Sequence, residues 1–128
     1  MFSHTTIGAA SIASAKEFYN AALAPLGVDL KMDVKGALGY GPVDQRQPQF
    51  FVVKPFNGEQ MSPGNGAMVA FNAGSRAMVD GFHAAVLKAG GTCEGPPGLR
   101  PHYHKNYYGA YVRDPDGNKL CAVCHLPE

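Results

Sequence analysis

The chain has 128 residues, a low charged fraction and a formal net charge of +1. That length fits one domain able to bury its own core, and acids and bases spread along it leave no clustered basic face for nucleic acid. Its apolar runs fall far short of a membrane span, and Met1-Phe2-Ser3-His4 lacks the basic region and apolar core of a secretion signal, so neither membrane nor export is expected.

His4 to Ala10 reads as a first strand, with His4, Thr6 and Gly8 on one face and Thr5, Ile7 and Ala9 on the other. Ser14 to Glu17 has the S-x-x-E form of a capping box. Ala15, Phe18, Tyr19, Ala22 and Leu23 then fall on one helical stripe, and Pro25 and Gly27 end it. Val28 to Asp33, Ala37 to Gly41 and Gln49 to Lys54 are three short strands. Residues 55–66 are rich in turn formers and read as a long loop. The pattern then restarts. Ala67 to Ala73 is a strand, Ser75 a helix cap, and Val79, Phe82, His83, Val86 and Leu87 a second stripe stopped by Gly90-Gly91. Thr92 to Pro96 is a strand, followed by a loop from Pro97 to Asn106.

Tyr107 to Val112 and Lys119 to His125 flank Asp114-Pro115-Asp116-Gly117-Asn118, a strong hairpin signal. The second of these strands sets Cys121, Val123 and His125 against Leu120, Ala122 and Cys124. Neither face is polar, which predicts a covered sheet. His125, near the chain end, is expected to be solvated. Three cysteines without framework spacing, Cys93, Cys121 and Cys124, point to free thiols in a reducing compartment, the cytoplasm.

The two halves match at a constant offset of 64 residues (75 − 11). Ser11 meets Ser75, Phe18 meets Phe82, Leu23 meets Leu87, Gly27 meets Gly91 and His4 meets Met68. The chain therefore reads as one domain, 1–128, of two βαβββ units at about 1–56 and 65–126. Each is too small to bury its own face.

Several segments carry a family resemblance: SAKEFYNAALAPLG from Ser14, GNGAMVAF from Gly64 and YYGAYVRDPDGNKLCAV from Tyr107. The chain resembles the vicinal oxygen chelate superfamily, which includes glyoxalase I, bleomycin-resistance proteins and extradiol dioxygenases. The resemblance spans nearly the whole chain. It implies an α+β fold whose two βαβββ modules form a curved mixed sheet, helices outside and a small-molecule ligand in the concave face. It also implies a homodimer.

In that superfamily His and Glu side chains on the concave face usually hold a divalent metal that polarises the substrate. Position by position, His4 matches the first-strand histidine, Met68 replaces a histidine and Cys121 replaces a glutamate. Phe50 and Phe51 stand on the remaining ligand strand and offer a metal nothing. The metal expectation is therefore His4 and Cys121 holding zinc, nickel, iron or manganese, and a site without metal is the other outcome the residues leave open. As catalytic groups the candidates are His4, Tyr107 and Tyr108. As substrate contacts they are Arg100 as an anion clamp, His102, Tyr103 and Phe51. Two functions follow: a lactoylglutathione-lyase-like or dioxygenase-like enzyme with an altered metal centre, or a metal-free protein that binds or sequesters an apolar or aromatic compound.

Overall fold

The alternating apolar runs become strands and the two helical stripes become helices, in the same order twice. The computed structural model describes all 128 residues. The first half holds β1 (Thr5–Gly8), α1 (Ile12–Leu23), a 3₁₀ turn (Ala24–Leu26), β2 (Val28–Val34), β3 (Ala37–Pro42) and β4 (Phe50–Val53). The second holds β5 (Val69–Asn72), α2 (Arg76–Lys88), β6 (Thr92–Leu99), β7 (Tyr108–Arg113) and β8 (Lys119–Cys124). Each half forms a four-stranded mixed sheet, ordered β1-β4-β3-β2 and β5-β8-β7-β6. The βαβββ repeat is borne out. No helix is long and apolar enough to cross a membrane.

The helices cover one face of each sheet. From α1, Ala15, Phe18, Tyr19, Ala22 and Leu23 are buried, and from α2, Val79, Phe82 and Val86. They join Leu38, Tyr40, Phe50 and Val52 of the first sheet and Ala110, Val112, Leu120, Ala122 and Cys124 of the second in one continuous core. Phe71 of β5 links the halves, its ring edge-on to Phe50 at 5.1 Å and tilted against Phe82 at 6.3 Å. Neither unit could bury this face alone. The opposite, helix-free faces carry Thr6, Gly39, Phe51, Ala70, Tyr111 and Cys121.

Three details depart from the sequence reading. Ser14 does not cap α1. Ser11 does, in an extended conformation with its Oγ accepting from the Ser14 N–H at 3.2 Å, and Ser75 caps α2 identically through Met78. Leu87 leaves the stripe and is exposed. β6 runs on through Pro96 and Pro97 to Leu99, which its edge position and two irregular registers permit.

The Asp114–Asn118 turn does more than reverse the chain. Gly117 supplies the left-handed position, at φ 92°. Asp114 Oδ1 accepts from the N–H groups of Asp116 and Asn118. Asp114 Oδ2 accepts from the Tyr19 hydroxyl on α1 and from Asn118 Nδ2. Asn118 Nδ2 also donates to the Gly8 carbonyl of β1, and Asp116 Oδ2 accepts from the Ala10 N–H. The second unit's hairpin is thus bonded to the first unit's strand and helix. Burial first, then Asp114, holds Tyr19 ionisation far above the ordinary tyrosine range.

The repeat alignment sets Gly27 against Gly91, yet the two do different work. Gly27 takes the left-handed position after the 3₁₀ turn, a role Gly90 fills in the second unit. Gly91 is needed for space: a Cβ there would lie 2.5 Å from Val86 Cγ1 and 2.7 Å from the Arg113 carbonyl oxygen. Gly91→Ala is expected to lower stability by about 2–3 kcal/mol in urea unfolding through overpacking. A loss under about 0.5 kcal/mol would contradict that close approach.

Candidate functional site

The pairing register fixes which positions correspond. Thr6 stands opposite Phe51, and Ala70 opposite Cys121. Thr6 and Ala70 are equivalent in the repeat, so Phe51 and Cys121 hold one place in the two units. His4 and Met68 hold another, just ahead of β1 and β5. These are the four positions where the sequence resemblance looks for metal ligands.

His4 is exposed, with its Nδ1 2.9 Å from Ser3 Oγ and its ring edge-on to Phe51 at 5.2 Å. It lines a cleft of about 400 Å³ between the β1–β4 edge and β5, shared with Val69, Ala70 and Asn72. Met68 is 44% exposed. Cys121 is completely buried, although outside the main core. Two phenols cover it. Tyr107 and Tyr111 share a hydroxyl–hydroxyl bond of 2.8 Å, and Tyr107 Oη lies 3.8 Å from Cys121 Sγ. The Tyr107 ring rests over Gly109, where a Cβ would come within 2.9 Å of it. In the first unit the bulk is reversed: Phe51 lies over Gly39, its pairing partner, with Cε1 3.0 Å from a Cβ placed there.

Burial pushes the Cys121 thiol up, outweighing the phenol bonds that favour the thiolate. Burial likewise raises Tyr107 and Tyr111, so both remain neutral hydroxyls near pH 7. Of the two phenol protons, one is used between the rings. For the other, the Cys121 sulfur at 3.8 Å is a weak acceptor at that distance.

This donor set does not fit a divalent metal. No three His, Cys, Asp or Glu side chains come together. Among the four positions, Phe51 has no donor atom, Met68 offers a thioether and Cys121 must first lose a proton it is held to keep. Of the expected pair, His4 touches Ser3 and Phe51, while Cys121 touches Tyr107 and Tyr111.

The other candidates separate. Tyr107 faces Cys121, whereas Tyr108 points to the helix side and donates to Asp80 of α2 at 2.7 Å. Arg100 is already engaged: its Nη1 and Nη2 donate to the Gly98 and Pro96 carbonyls at 2.8 and 2.7 Å, and its guanidinium sits over the Tyr111 ring. Those two bonds pin β6 and use two of the guanidinium's five N–H donors. His102 packs on Tyr103 at 4.3 Å and Tyr103 on Tyr107 at 4.9 Å, a run of rings leading to the phenol pair. The sequence reading missed Tyr111, which strand alternation places on the same face as Tyr107, and Lys119, whose ammonium lies over the Tyr111 ring, 5.7 Å from its centroid. It also missed Met61 of the long loop, which packs over Gly8 at the end of β1. A surface cleft of about 630 Å³ lies between α1 and α2 and contains none of these residues.

The fold has many solved counterparts. A glyoxalase/bleomycin resistance protein from Albidiferax ferrireducens T118 is 40% identical, with a TM-score of 0.88 over 97% of this chain and 98% of that one. A glyoxalase-related enzyme from Fulvimarina pelagi is 19% identical, with a TM-score of 0.73 over 97% and 87%. A lactoylglutathione lyase from Agrobacterium tumefaciens is 17% identical, with a TM-score of 0.67 over 97% and 92%. The last two share the fold alone. No curated protein matches the chain. The family model for the Glyoxalase/Bleomycin resistance protein/Dioxygenase superfamily matches residues 1–122. With the repeat, the sheet order and the 40% identical relative, this match shows that the chain belongs to that superfamily.

Proposed function

We propose that the chain binds a planar, largely apolar small molecule on its helix-free sheet faces, without a metal ion, in the cytoplasm. The observation that carries this reading is Cys121, a buried thiol under two neutral phenols at a position where a metal ligand would have to be ionised and reachable. Phe51, Tyr103, Tyr107 and Tyr111 supply ring surface, and the spare phenol proton can donate to a carbonyl or other oxygen acceptor on the ligand. The chain has six tyrosines and no tryptophan, so tyrosine fluorescence reports on this face. Titration with a panel of planar aromatic compounds should quench it saturably. Tyr111→Phe should cost the tightest binder about tenfold in affinity, the scale of one hydrogen bond to a buried group. A panel with no saturable binder would contradict the proposal.

A homodimer completes the reading. The outer edges of the sheets are guarded: β2 carries Asp29, Lys31 and Asp33, and β6 carries Pro96, Pro97 and irregular pairing. β1 and β5 have neither charge nor proline. Thr5 and Ala9 donate to β4, and Ala73 donates to β8, so strand alternation turns the N–H groups of Thr6 and Ala70 outward. A second copy seated there would bring its own β1 and β5 edges beside the His4 cleft. Sedimentation should give twice the 13.6 kDa chain mass. The double variant Thr6→Pro/Ala70→Pro removes only outward donors and should sediment as a monomer. An unchanged dimer would move the interface elsewhere.

A second reading, catalysis, is favoured by His4 alone, whose Nε2 has no protein partner and can accept a proton. Its test is turnover of a thiol–aldehyde adduct that His4→Ala abolishes.

A further inference from the structure

The loop between β6 and β7 carries an imidazole pair that the binding face itself does not use. His104 Nδ1 accepts from the Asn106 N–H at 3.1 Å. In a neutral ring, a lone pair accepting there leaves the proton on Nε2. That Nε2 lies 2.9 Å from His125 Nδ1, so His104 donates and His125 accepts. His125 then carries its own proton on Nε2. Each ring's single lone pair is occupied, and a proton added to either ring must displace one of the two bonds.

The pair ties the loop to the residue just after β8. Both rings pack edge-on against Tyr107, at centroid distances of 5.7 and 5.4 Å. The hydroxyl of that tyrosine is the one bonded to Tyr111 and set against Cys121. From β7, then, the titratable group facing the pair is the Tyr107 phenol, held neutral. From the loop, Lys105 adds a cation beside His104. From the chain end, Glu128 is turned away and accepts from the Arg76 N–H. The ion pairs of the chain are Lys16–Asp33, Lys31–Asp29 and Arg113–Glu94, so neither imidazole has a carboxylate to hold it as a cation.

We propose that His104 and His125 form a proton-released brace, which holds Tyr107 in the binding face at neutral pH and frees it in mild acid. Its effect on a ligand rests on the binding function proposed above; the brace itself does not. A metal ion bridging the rings would need a lone pair on His104 Nε2, where the Asn106 bond places the proton.

The test uses the full chain without ligand. Long-range nitrogen–proton NMR at about pH 8 should show the Nε2–H tautomer on both rings. Lowering the pH from 8 to 5.5 should move the Tyr107 ring signals together with those of the two imidazoles. His104→Phe keeps an aromatic ring against Tyr107 and should remove that response. An Nδ1–H tautomer on either ring, or Tyr107 signals that ignore the titration, would overturn the brace. So would one equivalent of zinc shifting both imidazoles at pH 8, which would make the pair a metal site. With a binder in hand, affinity should fall about tenfold between pH 8 and pH 5.5 and should not fall in His104→Phe. If no binder exists but the ligand-free signals behave as stated, the brace stands and the binding function fails.

Discussion

Asp114→Ala should destabilise the chain by about 3–5 kcal/mol, a third or more of the stability of a typical domain. The carboxylate is buried and accepts from the Tyr19 hydroxyl, Asn118 Nδ2 and the N–H groups of Asp116 and Asn118. Its loss strands a buried phenol and an amide, and it loosens the turn that holds the second hairpin to β1 and α1. Asp114→Asn keeps one oxygen acceptor and should cost less. Tyr19→Phe removes one bond and should cost least. Urea unfolding of the three variants measures this order. A loss under about 1 kcal/mol for Asp114→Ala would show that the turn does not join the two halves.

Phe51→Ala should weaken binding of the best planar ligand about thirtyfold, or roughly 2 kcal/mol. Phe51 is the largest side chain among the four ligand-equivalent positions, and its half-buried ring lies between His4 and Gly39. Truncation removes contact area without touching the core, because the neighbouring Phe50 points the other way and fills the helix side. Protein stability should therefore change little while affinity falls. Equal affinity in wild type and variant would move the ligand off this face.

The fold was legible because its signals are local. Strand alternation, two helical stripes and Asp116-Gly117 each act within a few residues. The Ser14 box misled because S-x-x-E also occurs one turn inside a helix, and the aligned pair Ser11 and Ser75 was the better guide. The role of Asp114 was not legible, since its partner Tyr19 and the Gly8 carbonyl bonded by Asn118 lie about a hundred residues away in sequence. Cys121 could be placed on a face, but the phenols that bury it arrive from another strand. Arg100 looked free because the carbonyls that engage it are presented by the irregular pairing of β6. His125 was expected to be solvated; it is exposed, yet bonded to His104 across a loop that sequence distance conceals.

The most direct measurement is equilibrium binding of one planar aromatic ligand to the wild-type chain, before and after exhaustive treatment with a chelator, with metal analysis of both samples. A metal-free face predicts the same affinity in both and no stoichiometric metal in either. Stoichiometric metal in the untreated protein, with binding lost on its removal and restored on its return, would contradict the account.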